Sequence, residues 1–160
     1  MAMSRIYQLI ASATLLLCTF GAGAQVLDRK TLSLEAAQKI MAGVVAEAKA
    51  NNWLVNIAIV DEGGNLLHFQ RMDGALIGSV DVSIGKARTA ALFRRSTKVF
   101  EELAKTRPAI TTLPNGVLLQ GGVPVVVNGQ TVGAVGVSGV TSQQDEQIAE
   151  AGIRHAGLSQ

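Results

Sequence analysis

Cysteine is nearly absent: the 160-residue chain has one, Cys18, alongside two histidines, three prolines, one tryptophan and one tyrosine. A lone thiol cannot form an internal disulfide, so stability has to come from core packing and assembly. With His68 and His155 as the only histidines, no Cys/His zinc constellation and no HExxH pair can be written. Aromatic residues make up 4% of the chain, too few for a base-stacking platform that reads single-stranded nucleic acid. Charge is also sparse, 14 basic against 12 acidic residues. That balance gives neither the basic face of a nucleic-acid binder nor a polybasic lipid-binding patch.

The only long apolar run lies at the N-terminus and reads as a targeting segment. Arg5 supplies a positive start, Leu9 to Phe20 an apolar stretch, and Ala22-Gly23-Ala24 a small-residue cleavage site. The stretch is shorter than the roughly 20 residues needed to span a bilayer. Residues 1–24 are therefore expected to be a signal peptide cleaved after Ala24, leaving 25–160 as one domain that is secreted or periplasmic and free of the membrane. Cys18 follows Leu17, where a lipoprotein site needs a small residue, so no lipid anchor is expected. Cleavage removes Cys18, and with it any thiol nucleophile or thiolate ligand to haem iron. Arg5 is the only charged residue lost, so the net charge falls from +2 to +1.

The rest of the chain alternates helical and strand periodicities. Ser33 is a candidate N-cap for a helix whose apolar residues recur at Leu34, Ala37, Ile40, Met41, Val44, Val45 and Ala48, ending at Asn51-Asn52. Leu54 to Val60 and Leu66 to Met72 read as strands joined by a Glu62-Gly63-Gly64-Asn65 turn. Ala75 to Arg95 is a second helical region. Its Gly85 implies close packing of a neighbouring element or close approach of a ligand. Phe100 to Lys105 reads as a further helical turn or two, and Arg107 to Asn115, bounded by Pro108 and Pro114, as an irregular loop. Val123 to Val127 and Thr131 to Ser138 flank Asn128-Gly129, a strong hairpin signal. Thr141 or Ser142 caps a last helix, with Asp145 and Glu146 in its first turn.

The order α-β-β-α-β-β-α implies hairpins in an antiparallel sheet, an α+β fold. Because the last two strands are apolar on both faces, a second subunit is expected to cover one of them, giving a homo-oligomer.

Motifs with catalytic overtones are incomplete. Gly136-Val137-Ser138-Gly139 is not a nucleophile elbow, because Val140 occupies the position that needs glycine. The Gly133, Gly136 and Gly139 series follows a hairpin rather than opening a βαβ unit, which excludes dinucleotide binding. Arg71, Asp73 and Lys86 could converge on a carboxylate-bearing ligand or form a structural salt-bridge network. Asp145 and Glu146 could accept hydrogen bonds from a ligand or serve as helix-dipole partners. Strict alternation places Leu66, His68 and Gln70 on one face of the second strand, opposite Leu67, Phe69 and Arg71. His155 falls in the last turn of the terminal helix.

Taken in order, several segments resemble one family. They are Asp61-Glu62-Gly63-Gly64-Asn65, Arg71-Met72-Asp73-Gly74-Ala75, Lys86-Ala87-Arg88-Thr89-Ala90, Gly121-Gly122-Val123-Pro124, Gly133 to Gly139, and Asp145-Glu146. Together they are similar to the GlcG/HbpS-like haem-binding or haem-degrading family, and also to the C-terminal domain of some cobalamin-processing proteins. The resemblance implies a profilin-like or PAS-like antiparallel sheet with flanking helices, often in symmetric oligomers. It also implies haem as cofactor, and so an exported protein that binds haem or a related tetrapyrrole to scavenge, buffer or sense it. Two alternatives stay open: an enzyme or binder acting on a small carboxylate, and an oligomeric interaction module without ligand. Candidate ligand contacts are Arg71, Asp73, Lys86, Ser138, Asp145 and Glu146, with His68 the better of the two histidines as an axial ligand and no dedicated catalytic residue.

Overall fold

The computed structural model describes residues 25–158, so the signal segment and its cleavage site lie outside the described residues. Helix α1 (Leu34–Ala50) starts where Ser33 accepts a hydrogen bond from the Ala36 amide, and ends at Asn51 and at Asn52, whose φ is 57°. Strands β1 (Asn56–Asp61) and β2 (Leu66–Arg71) form the first hairpin. Its turn is held by the Asp61 carboxylate, which accepts from the amides of Gly63 and Asn65. Helix α2 (Ser79–Phe93) follows.

Next comes a helix longer than the turn or two expected over Phe100 to Lys105. α3 (Thr97–Thr106) is capped by Ser96, and a short 3-10 helix, Pro108–Thr112, occupies part of the stretch read as irregular. Strands β3 (Gly122–Val127) and β4 (Gln130–Ser138) turn through Asn128 and Gly129, both at positive φ as a two-residue hairpin turn requires. Helix α4 (Ser142–His155) opens with a capping box between Thr141 and Gln144.

The sheet order is β2-β1-β4-β3, antiparallel throughout, which confirms the α+β fold. On one face α1 and α4 pack over Ile57, Ile59, Val125, Val135 and Val137. On the other α2 lies across Ala58, Val60 and Ala134, contributing Ala87, Ala90 and Ala91.

This arrangement corrects one expectation. The second apolar face is covered by α2 of the same chain, so the sheet needs no partner subunit to shield it. The packing is close because glycines seat the helices. Gly122 and Gly136 face each other across β3 and β4. A Cβ on Gly136 would strike the Ser83 carbonyl oxygen and lie 2.5 Å from the Ala87 nitrogen; on Gly122 it would strike the Lys86 carbonyl oxygen. At Gly85 a Cβ would strike the Val117 side chain, so packing by the connection before β3 accounts for that glycine.

Candidate functional site

Lys86 does not join Arg71 and Asp73. It projects from α2 into the interior, where it is 2% exposed. Its Nζ donates to Asp145 Oδ2 at 2.8 Å and to the Val137 carbonyl at 3.0 Å. Asp145 is equally buried and is no simple dipole partner of α4: its Oδ1 accepts from the Val140 amide at 3.3 Å. Burial pushes the Asp145 carboxyl above its ordinary range; Lys86 and the amides of Val140 and Gly139 pull against this without cancelling it. The pair is sealed by Gly121 (φ +119°), where a Cβ would sit 2.9 Å from Lys86 Nζ and 2.7 Å from the Asp145 Cβ. It ties α2, β4 and α4 together and leaves no room for a ligand.

Arg71 and Asp73 are exposed and, with Lys49, line a shallow depression of about 300 Å³. Arg71 shares a row with Ser138, since Asn56 of β1 stands opposite both. Ser138 itself is buried, at 6% exposure.

His68 also needs correction. A bulge in β2 sets Ile59 opposite His68 but Val60 opposite Leu66, so Leu66 leaves the face that His68 occupies. His68 is half-buried on the α1 side of the sheet, while Leu66 lines a hollow beside α2. His155 does close α4, with its Cβ against Gly43 of α1.

Glu146 leads to a different site. Its carboxylate accepts from Ser96 Oγ at 2.7 Å and from the buried Gln120 amide at 2.5 Å, and Lys98 Nζ stands 3.9 Å away. It forms part of a cleft of about 500 Å³ along the free edge of the sheet, within the range of small-molecule pockets. Val123, Pro124 and Val126 of β3 make one apolar wall, and Ile153 and Leu158 continue it from α4 and beyond. Spacing on α4 explains the rest: Glu146, Glu150 and Ile153 recur at helical intervals and so face the cleft together.

Three guanidiniums border these walls, Arg94, Arg95 and Arg154. Arg154 pairs with Glu150 at 3.4 Å, while Arg94 and Arg95 make no ion pair among the described residues. Arg94 holds the corner between α2 and α3 in the left-handed conformation (φ 53°, ψ 41°), a position glycine usually fills. A larger hollow of about 700 Å³ lies beside α2, but its one guanidinium, Arg88, is tied to the Gly64 carbonyl at 3.1 Å and shares the hollow with Asp81. The edge cleft therefore joins apolar surface to unpaired positive charge, as an anionic apolar ligand demands. No motif marks Arg94, Arg95 or Arg154 in the sequence; the one signal is an Arg-Arg-Ser run at the end of a helical pattern.

Among the described residues no group of three His, Cys, Asp or Glu side chains could hold a metal ion, and no helix is long and apolar enough to cross a membrane. This helix-sheet-helix fold has known counterparts. Residues 32–154 match the family described as haem degrading protein HbpS-like, and the chain belongs to it. It is 51% identical over 108 residues to Protein GlcG of Escherichia coli K12, covering 67% of this chain and 81% of that protein. The crystal structure of Klebsiella pneumoniae protein ORFY superposes with a TM-score of 0.78 at 33% identity, covering 85% of this chain and 97% of ORFY. A doubly substituted HbpS of Streptomyces reticuli gives the same score and identity, with coverage of 88% and 95%.

Proposed function

We propose that this protein binds haem or a closely related tetrapyrrole in the cleft between β3 and α4. The observation that carries the proposal is the placing of Arg94, Arg95 and Arg154 around an apolar wall. A flat apolar macrocycle would lie against Val123, Pro124 and Ile153, with its propionates paired to the guanidiniums. Membership of a family described as haem-degrading supports the same reading. The cleft's residues fit the macrocycle and its carboxylates; when bound, haem would bring the redox and oxygen chemistry of its iron.

The test compares haemin with haemin dimethyl ester, which keeps the ring and iron but loses both negative charges. Hydrogen bonds to charged groups contribute about 1.5–3 kcal/mol each, so the ester should bind at least about tenfold more weakly. A saturable Soret shift with haemin, weakened in the ester, is the expected result. Equal binding of both, or no saturable shift with haemin, contradicts the proposal.

The protein is also proposed to act outside the cytoplasm, on the strength of Arg5, the apolar run after it and Ala22-Gly23-Ala24. Mass spectrometry of the exported protein should find Gln25 at its N-terminus; a full-length exported chain would contradict this.

A further inference from the structure

Protein side chains that hold haem iron are histidine, cysteine thiolate, methionine and tyrosine. None of these lines the edge cleft. The cleft does contain two carboxylates, but both are engaged: Glu146 by Ser96 and Gln120, and Glu150 by Arg154. Neither histidine lines the cleft. His68 is on β2, at the opposite edge of the sheet from β3, and three strand spacings amount to roughly 14 Å. His155 leaves α4 on the side that packs against Gly43 of α1.

What the cleft offers instead is independent of a metal: apolar wall and unpaired guanidinium. We infer that it recognises the acidic, flat tetrapyrrole itself rather than its iron, so that its ligand class is the anionic tetrapyrroles with or without a bound metal. This inference rests on the binding proposal above. It makes Arg94 and Arg95, the two without an ion pair among the described residues, the residues that determine affinity, and it gives neither histidine a part in it.

The experiment titrates the full protein with haemin and with iron-free protoporphyrin IX, following absorbance for the first and porphyrin fluorescence for the second. The two dissociation constants should agree within about threefold. Combining Arg94→Met with Arg95→Met should weaken both ligands by the same factor, and His68→Ala and His155→Ala should weaken neither. If haemin binds more than about tenfold tighter than the iron-free ring, or a histidine substitution weakens haemin alone, the inference is overturned while the binding proposal stands. If neither ligand binds, both fall.

Discussion

Lys86→Met or Asp145→Asn alone should destabilise the protein by about 3–5 kcal/mol, because either leaves a buried group without its partner. In a domain of this size that lowers the melting temperature by roughly 10 °C or more. Lys86 and Asp145 are each about 3% exposed at the side chain, and water cannot replace the lost partner. Combining Lys86→Met with Asp145→Leu should recover most of the loss, since a buried ion pair barely repays its desolvation and apolar replacements are often neutral or better. Thermal or urea unfolding of the three variants checks this; a double variant as unstable as the singles would contradict it.

The pair also has a pH signature. With its folded pKa raised, Asp145 holds a proton more tightly in the native state than in the unfolded chain. Its contribution is therefore fully present below the unfolded carboxylate value, near 3.9, and is lost as pH rises through the folded value. Asp145→Asn should lack that decline.

Gly136→Ala is expected to be nearly as damaging. Overpacking a core costs typically 1–3 kcal/mol, and more when the obstacle cannot move. Here it cannot: the added methyl would meet the Ser83 carbonyl and the Ala87 nitrogen, both backbone atoms of α2. The helix would have to lift from β4, exposing Ala58, Val60 and Ala134 beneath it. A fall in stability of about 3 kcal/mol or more by chemical denaturation is expected. The Asn128–Gly129 turn supplies the comparison, because a Cβ on Gly129 would meet nothing within 4 Å, although its positive φ still favours glycine. If Gly136→Ala cost no more than Gly129→Ala, close helix packing would not be the reason for this glycine.

These two sites show where the sequence was legible. Local signals are legible because they depend on a few neighbouring residues: the caps at Ser33 and Thr141, the turn after β1, and the Asn128–Gly129 hairpin. The second strand broke the same logic, because one extra residue at the bulge shifts Leu66 to the other face of the sheet.

Long-range pairing left no trace in spacing. Lys86 and Asp145 are 59 residues apart and carry no pattern that joins them, so charge alone points Lys86 toward Arg71. The cover supplied by α2 is hidden for a related reason: its buried face is built of Ala87, Ala90 and Ala91 with Ser83, Lys86 and Thr89, too small and too polar to announce a sheet-covering helix. The glycines that let it approach were visible, but what they faced was not. Of the candidate site residues, Glu146 alone borders the edge cleft. Its arginines come from the α2–α3 corner and from the end of α4, and only the folded chain brings these together.

The most direct test of the central claim is the haemin affinity of the protein carrying Arg94→Met and Arg95→Met, measured by Soret titration beside Arg71→Met and the unsubstituted chain. All three arginines are exposed, so melting temperatures should change little. Two charge-assisted contacts at about 1.5–3 kcal/mol each predict a loss of roughly a hundredfold or more for the double substitution, and no loss for Arg71→Met. Unchanged affinity in the double variant, or a loss confined to Arg71→Met, would move the site away from the edge cleft and contradict the account.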